Sequence, residues 1–480
     1  IDAAQYNFVS AIAGRTLGNK EKKLSIMAVG DDDQNIYQFR GANVEYIRRF
    51  EREYKARCQI LRENYRSTKH IISGANQIIA LNRDRMKTDL ALRIDTARKE
   101  DPAGGAWERI DPHAKGRIQI FPVFDKYGQA ESLVHELKRR QSLTPLFQFS
   151  DCAVIAKEWA TLDAVRSVFE KKQIPISLTV TRAQTFPLHR VREVALFLDK
   201  LASFKNKIIS PSHPYQILSD TQSDLENPWS ALIRALLKEW KKVSLSKEID
   251  ASLLIDFIYE TLEEQTRQRR IGEGISLSTV HSAKGMEFGH VFIVDGGWGN
   301  PGDKQRMEEE RRLFYVAMTR AKETLTLFWR SDQKNPHIPQ LTGDCVFRDS
   351  PLFQAPPLSK KETPCRYQTL SLRDVHISFA GRKRPDSKTH EHLSRLTPGS
   401  RLYAIYNGKH VILNTQNGNP VARLSATASK TWHFRLNTIE KIRVVAVLRW
   451  KKEYVLEKKY RDQILSDTWE IPMVEVECSK

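Results

Sequence analysis

Four stretches of this sequence carry side chains able to handle phosphates, bases and metal ions. The first runs Val29-Gly30-Asp31-Asp32-Asp33-Gln34-Asn35-Ile36-Tyr37-Gln38-Phe39-Arg40-Gly41-Ala42. An acidic cluster with a glutamine at a strand end can hold a metal-bound water and sense a terminal phosphate. The alternation of Asp31, Asp33 and Asn35 also suggests a calcium loop. That reading fails, because the sixth position is Ile36 rather than glycine and the twelfth is Ala42 rather than glutamate. Phe39 beside Arg40 offers a base a stacking face and a cation, although Phe39 would serve equally well in a core. In the second stretch, Leu61-Arg62-Glu63-Asn64-Tyr65-Arg66-Ser67-Thr68, Tyr65 offers a π-face to a purine and Arg66 a bidentate fork to phosphate.

The third stretch, Leu277-Ser278-Thr279-Val280-His281-Ser282-Ala283-Lys284-Gly285-Met286-Glu287-Phe288, puts hydroxyls, an imidazole and an ammonium in the loop after a strand. Hydroxyl and N–H donors at a helix start suit a phosphodiester backbone. His281 as a catalytic base finds no Ser/Asp partner arrangement, so a triad is set aside. In the fourth, Glu308-Glu309-Glu310-Arg311-Arg312 reads by itself as a solvated helix with i,i+4 pairs. Arg320, further along and between small residues, reads as an arginine presented into a cleft.

The elements that must position these groups are legible in the hydrophobic pattern. Short apolar runs at Ser25–Gly30, Ile118–Val123, Cys152–Ala156, Ile275–Val280, His290–Val294 and Thr324–Trp329 read as buried strands. Helical patterns lie between them at Gln129–Arg140, Leu162–Lys172 and Met307–Lys322. Alternation of this kind implies a mainly parallel, doubly wound sheet with ligands at the carboxyl ends of its strands. From Arg190 to about Arg270 the pattern is nearly all helical, an insertion within the α/β unit. Six prolines between Pro336 and Pro364 mark a linker. Leu402–Leu413, Val421–Leu424, Lys441–Arg449 and Glu453–Lys458 then read as a separate small β domain, a barrel being one form it could take.

With 480 residues the chain exceeds one compact domain, and its 77 Lys/Arg against 58 Asp/Glu leave a net charge of +19. Residues 333–480 hold 25 of the basic and 14 of the acidic residues. Between Arg401 and Lys452 there are ten basic residues and one acid, Glu440. A polyanionic partner fits this balance, as does a merely solvated surface. No apolar run is long enough for a membrane helix, and no secretory signal opens the chain. The five cysteines lie far apart with no C-x-x-C pair, which points away from zinc or disulfide frameworks and toward the cytoplasm.

In this order the four stretches closely resemble the UvrD/Rep group of superfamily 1 DNA helicases. The strings G-D-D-D-Q-x-I-Y-x-F-R-G-A and T-V-H-S-A-K-G-x-E-F are highly specific, and the resemblance runs from Ile1 to about Arg330. It implies an α/β fold with a RecA-like (P-loop NTPase-type) parallel sheet, a helical insertion, a remnant of a first RecA-like lobe and a C-terminal β-rich domain. The expected boundaries are 1–62 for the remnant, 63–189 and 273–332 for the second lobe, and 190–272 for the insertion. Residues 333–364 would be the linker and 365–480 the basic β-rich domain. By resemblance the cofactors are ATP and Mg2+, and the partner is single-stranded DNA with its junctions to duplex. Gln34, Arg66 and Arg320 would act in catalysis, with Tyr65 on adenine and Glu287 at the ribose. Phe39, Arg40, Thr279, His281 and Lys284 would lie along the DNA, and Asp31 and Asp32 near magnesium. Movement would run 3′ to 5′.

The family pattern also calls for a glycine-rich loop ending in G-K-T or G-K-S and for a D-E-x-Q-D strand end. No G-x-x-x-x-G-K-[ST] occurs in these 480 residues. The segment Ile1-Asp2-Ala3-Ala4-Gln5-Tyr6 resembles the stretch directly after D-E-x-Q-D in the group. The expectation is therefore the C-terminal part of a helicase, inactive alone and needing an upstream half as partner. The competing expectation is a non-catalytic nucleic-acid-binding or regulatory module. The short insertion leaves a duplex-engaging role open, and Lys157, where the group often has arginine, receives no role.

Overall fold

The computed structural model describes residues 1–15, 24–36, 44–88, 90–179, 186–221, 227–243, 249–268, 270–271, 274–299, 302–348 and 365–479. The chain forms two compact units. One comprises Ile1–Pro175 and Gly274–Leu358, the other Ile176–Glu273 and Ser359–Lys480.

The first unit is built on strands β1 (Ile118–Val123), β2 (Cys152–Ala156), β3 (Ser276–Thr279), β4 (Phe288–Ile293), β5 (Ala321–Arg330) and β6 (Val346–Arg348). They make one six-stranded sheet in the order β6-β1-β5-β4-β2-β3, with every pairing parallel. All five residues of β2 are buried, the continuous apolar run expected of a parallel strand covered on both faces. Helices Lys69–Ile79, Lys126–Leu143, Trp159–Lys171 and Lys304–Met318 alternate with the strands. Gly74 lets the first of these lie close to the sheet, since a Cβ there would meet Ile118 Cδ1 at 2.2 Å. The fourth helix stops at Met318, short of the expected Lys322, because β5 already begins at Ala321.

One apolar run is not a buried strand. Leu24, Met27 and Val29 are 61, 86 and 84% exposed, and Ser25–Gly30 has no regular secondary structure. A parallel-type strand is buried only when neighbours flank and cover it, and among the described residues none pairs with this run. Beside it in sequence, helix Ala3–Ile12 is closed by a capping box between Asp2 and Gln5. Helix Glu45–Tyr54 returns against it, with the Tyr6 hydroxyl donating to Glu53 at 2.8 Å and Arg49 4.7 Å from the Tyr6 ring.

In the second unit, strands β7 (Arg366–Thr369), β8 (Arg401–Tyr406), β9 (Val411–Asn414), β10 (Pro420–Arg423), β11 (Ile439–Lys451) and β12 (Thr468–Cys478) form an antiparallel sheet. Its order is β7-β12-β11-β8-β9-β10, a sheet with two ends rather than a closed barrel. Glu453–Lys458, expected as strand, instead contains a 3-10 turn at Lys452–Tyr454 and leads into a short helix at Lys458–Arg461. The long β12 was not anticipated at all.

The insertion supplies helices Arg192–Ala202, His213–Thr221, Pro228–Val243 and Ala251–Gln268. The insertion and the β-rich tail, which read as separate bodies in the sequence, share one hydrophobic core. Phe197, Leu201, Trp229 and Leu236 are buried in the same cluster as Val444, Leu448, Ile471 and Val474. The Trp229 indole N–H donates to the Val445 carbonyl at 3.1 Å, and Val191 forms a β-bridge with Leu448. Each such side chain contributes about 1.5–3 kcal/mol on burial, so packing between the two segments adds to the stability of both. No helix among the described residues is long and apolar enough to cross a membrane.

Candidate nucleotide and nucleic-acid site

The site lies in the first unit, around the loop at the carboxyl end of β3. Thr279 ends that strand, and its hydroxyl accepts from Ser282 N, capping the short helix Val280–Ala283. Gly285, at φ +88°, takes the left-handed turn that returns the chain to β4. Two side chains from this loop fasten the acidic segment. Lys284 Nζ donates to the Gln34 carbonyl at 2.9 Å, and His281 Nε2 lies 3.1 Å from the Ile36 carbonyl. A carbonyl only accepts, so the proton of that imidazole sits on Nε2. Burial, with Arg320 nearby, lowers the Lys284 pKa.

Two arginines converge beside the loop. The Asn64 side chain accepts from the backbone N–H of Arg66 and of Ser67, folding a tight turn after the short strand Glu63–Asn64. Ser67 Oγ then donates to the Ala321 carbonyl at 2.7 Å and Thr68 N to the Lys322 carbonyl at 3.1 Å, which anchors the turn next to Arg320. The Arg66 guanidinium pairs with Glu287 and holds that carboxyl below its usual pKa. Arg66 Nε is buried without a hydrogen-bond partner.

Arg320 is 2% exposed, and its guanidinium donates to the Val316 carbonyl (3.0 Å), the Met286 carbonyl (3.2 Å) and Thr319 Oγ1 (3.2 Å). Burial first, and Arg66 second, push its pKa down to about 10. The Arg320 guanidinium therefore stays charged at neutral pH, and the repulsion between it and Arg66 marks a place where an anion is favoured. Tyr65 stands at the rim with 68% of its surface exposed, its hydroxyl donating to Glu63 at 3.1 Å.

The carboxylate oxygens of Asp31, Asp32 and Asp33 come within 4.8 Å of one another. Two cations and two further N–H donors share the cluster. Arg85 grips both oxygens of Asp33 at 2.7 and 2.8 Å, and Lys87 reaches Asp31 at 2.6 Å and Asp33 at 3.3 Å. Met86 N donates to Asp32 at 2.6 Å, and the Gln34 amide to Asp31 at 2.8 Å. Burial alone would lower the Lys87 pKa, but Asp31 and Asp33 outweigh it and the pKa is raised. Arg85 and Lys87 thus neutralise Asp33 and Asp31, while among the described residues Asp32 accepts only from a backbone N–H, so a dication at Asp31 would compete with Lys87.

Gln34, Arg66, Thr279, His281, Lys284, Glu287 and Arg320 are thus neighbours in one unit. Thr279 is buried in its capping role, His281 and Lys284 face protein backbone, and Arg320 is turned inward rather than into an open cleft. Phe39 and Arg40 lie outside the described residues. Sequence reasoning missed Arg85 and Lys87. Their alternation in Arg83-Asp84-Arg85-Met86-Lys87 was a usable signal, since an acidic triplet inside a fold requires cations. Lys157, given no role, pairs with Glu310 at 2.5 Å beyond the end of β2.

A six-stranded parallel sheet with cationic and hydroxyl groups gathered at the carboxyl end of a strand defines a doubly wound α/β unit with a candidate anion-binding site. Comparison with known proteins narrows that class. Residues 1–55 match the model of the UvrD/REP helicase N-terminal domain and residues 220–332 that of the UvrD-like helicase C-terminal domain. DNA helicase II of Haemophilus influenzae is 27% identical over 431 residues, covering 71% of this chain and 57% of that protein. ATP-dependent DNA helicase PcrA of Staphylococcus epidermidis is 27% identical over 429 residues, covering 69% and 55%. Among solved structures, the C-terminal domain of a possible DNA helicase from Lactobacillus plantarum WCFS1 matches at 14% identity and a TM-score of 0.28. That match covers 60% of this chain and 99% of that one. These matches are to UvrD/Rep-type helicases, and the chain spans little more than half the length of these curated relatives.

Proposed function

We propose that this chain is the C-terminal part of an ATP-dependent DNA helicase that moves 3′ to 5′ along single-stranded DNA and acts at its junctions with duplex, in the cytoplasm. The observation that supports this reading is the convergence of Arg66 and Arg320 beside the exposed ring of Tyr65, with Arg66 Nε buried and unpartnered. Arg66 and Arg320 would hold the terminal phosphates, Tyr65 would stack on the adenine, and Glu287, released from Arg66, would meet the ribose. Bound ATP supplies the phosphoryl group whose loss drives movement. Gln34 sits on the segment that Lys284 and His281 fasten, so contact with DNA at that loop would be felt at the phosphate end. Phe39, Arg40, Thr279, His281 and Lys284 would line the strand path. Stacking of bases reads no sequence, as movement over any sequence requires.

A second reading, a non-catalytic nucleic-acid-binding module, draws support from the internal pairing of these groups. Gln34 is bonded to Asp31, Arg66 to Glu287, and Lys284 to backbone. The two readings separate by experiment. The 480-residue chain alone is expected to show no DNA-stimulated ATP hydrolysis, since no G-x-x-x-x-G-K-[ST] loop is present to hold the phosphates. In a protein extended upstream by its native coding sequence, DNA-stimulated turnover should appear. Arg66→Ala should then lower turnover by about 10³-fold or more while leaving DNA affinity within a few-fold. Turnover by the short chain would refute its inactivity alone, and an extended protein indifferent to Arg66→Ala would refute the helicase assignment of these residues.

A further inference from the structure

The second unit holds a group of basic side chains that the helicase reading does not use. Strand register brings them together. In the antiparallel ladder Ile405 pairs with Ile412, and Ile412 with Arg423. The bridge between Val375 and Leu424 and the hydrogen bond from His376 N to the Arg423 carbonyl (2.7 Å) extend that row to His376. Residues directly opposite one another point to the same face of a sheet. His410, two residues before Ile412 at the end of the β8–β9 hairpin, comes to the same end of that face. Arg382 arrives from the turn after His376, where Phe379 N bonds the His376 carbonyl and Arg382 N the Ser378 carbonyl.

These four side chains share an unusual condition. His376 Nδ1, Arg382 Nε, His410 Nδ1 and Arg423 Nε are each buried with no hydrogen-bond partner. Among the described residues, no carboxylate pairs with any of them. Asp374, the nearest acid in sequence, turns its carboxylate to the N–H and hydroxyl of Ser371, both at 2.7 Å. The groups also repel. Burial, then Arg423 and Arg382, push the His376 pKa down to about 4, and burial and Arg382 lower that of Arg423. An ordinary solvated basic face has its donors in water and acids interspersed. Here one nitrogen of each half-buried side chain is withdrawn from water without a partner, and no carboxylate is paired with it, which suits a site whose partner is an anion.

We propose that His376, Arg382, His410 and Arg423 form a phosphate-binding site that grips the backbone of a single-stranded nucleic acid, separate from the ATP and DNA residues of the first unit. The occupant is read from the surroundings. Arg401–Lys452 carries ten basic residues and one acid. On the same face as the row, Tyr403 is 39% and Ile405 55% exposed, and Arg401 lies 5.5 Å from the Tyr403 ring. Cations beside an exposed aromatic ring suit a backbone flanked by unstacked bases.

The test uses the whole chain and does not depend on ATP. Anisotropy of a labelled mixed-sequence single-stranded DNA oligonucleotide is followed across about 50–200 mM salt. Each phosphate contact on a single strand contributes about 0.7 to the log–log salt slope. The double variant Arg382→Gln/Arg423→Gln should therefore flatten the slope by about 1.4 and weaken binding at 0.1 M salt about 25-fold. Arg382→Lys/Arg423→Lys should restore most of the slope. The second readout is local: the imidazole NMR signals of His376 and His410, assigned by replacing each with asparagine, should move on addition of the oligonucleotide.

An unchanged slope in the Gln variant together with unmoved imidazole signals would overturn the site. Signals that respond to inorganic phosphate but not to the oligonucleotide would overturn the nucleic-acid assignment. A phosphoserine peptide that shifts them at lower concentration than DNA would also overturn it, in favour of a protein partner.

Discussion

Arg85→Ala tests whether the acidic triplet is a cation-held structural node. Arg85 and Asp33 have side chains only 5% and 1% exposed, and both guanidinium–carboxylate bonds are short. Removing one partner of a buried pair leaves the other charge uncompensated and costs about 3–5 kcal/mol. Lys87 remains 3.3 Å from Asp33 and absorbs part of that penalty, so a loss near the lower bound, about 3 kcal/mol, is expected. The double variant Asp33→Leu/Arg85→Met removes both charges and should fall within about 1 kcal/mol of wild type. Urea unfolding gives the totals, and hydrogen exchange of residues 31–36 and 82–88 shows where protection is lost. A single-variant loss under about 1 kcal/mol, the value of an exposed pair, would refute the reasoning. So would a double variant as unstable as the single one, because then the cost is not that of an unpaired charge. If magnesium at millimolar concentration restored the Arg85→Ala protein, the acids would be a metal site after all.

Two further outcomes concern buried groups. Burial, with cations nearby, pushes the pKa of His290 and of His337 down to about 3. Both are neutral in the fold but take up protons below about 6.5 once unfolded, so stability falls as pH drops from about 6.5 toward 3. At pH 5 each should cost up to about 2 kcal/mol relative to pH 7. His290→Gln should flatten the pH dependence of the urea midpoint in that range, and an unaltered dependence would remove His290 from the account. In the second unit, Trp229→Ala should cost about 3–5 kcal/mol and lower exchange protection in helix Arg192–Ala202 and in β11 alike. A loss confined to the helices would contradict the shared core. By the same logic residues 365–480 expressed alone should lack a cooperative unfolding transition.

Much of the first unit was legible because parallel strands are buried on both faces. Ile118–Val123 and Cys152–Ala156 were read to the residue, since uninterrupted apolar runs have sharp ends. The four chemical stretches were legible as strings, and the structure brings their described residues together. The pairing among them was not, because it is set by residues remote in sequence: Arg85 and Lys87 on the acids, Glu287 on Arg66, and the Ile36 carbonyl on His281. Apolarity alone also could not separate Ser25–Gly30 from a buried strand, since burial depends on neighbours. In the tail, Glu453–Lys458 has β-compatible residues but lies between two long paired strands, where the chain must turn. The common core of insertion and tail was invisible for a simpler reason. A helix stripe and a strand face each announce that they are buried, but neither announces against what.

The uncovered run at Ser25–Gly30 has a practical consequence at the bench. Ser-Ile-Met-Ala-Val-Gly is a short, uncharged, proline-free segment, and with Leu24, Met27 and Val29 in water it has the makings of a self-templating strand. Two molecules that meet there can zip edge to edge, whereas elsewhere the net charge of +19 keeps them apart. Salt therefore works against the experimenter: the screening that weakens nucleic-acid binding also removes the repulsion that holds concentrated protein in solution. Light scattering should rise with ionic strength, and a single lysine in place of Met27 should suppress it.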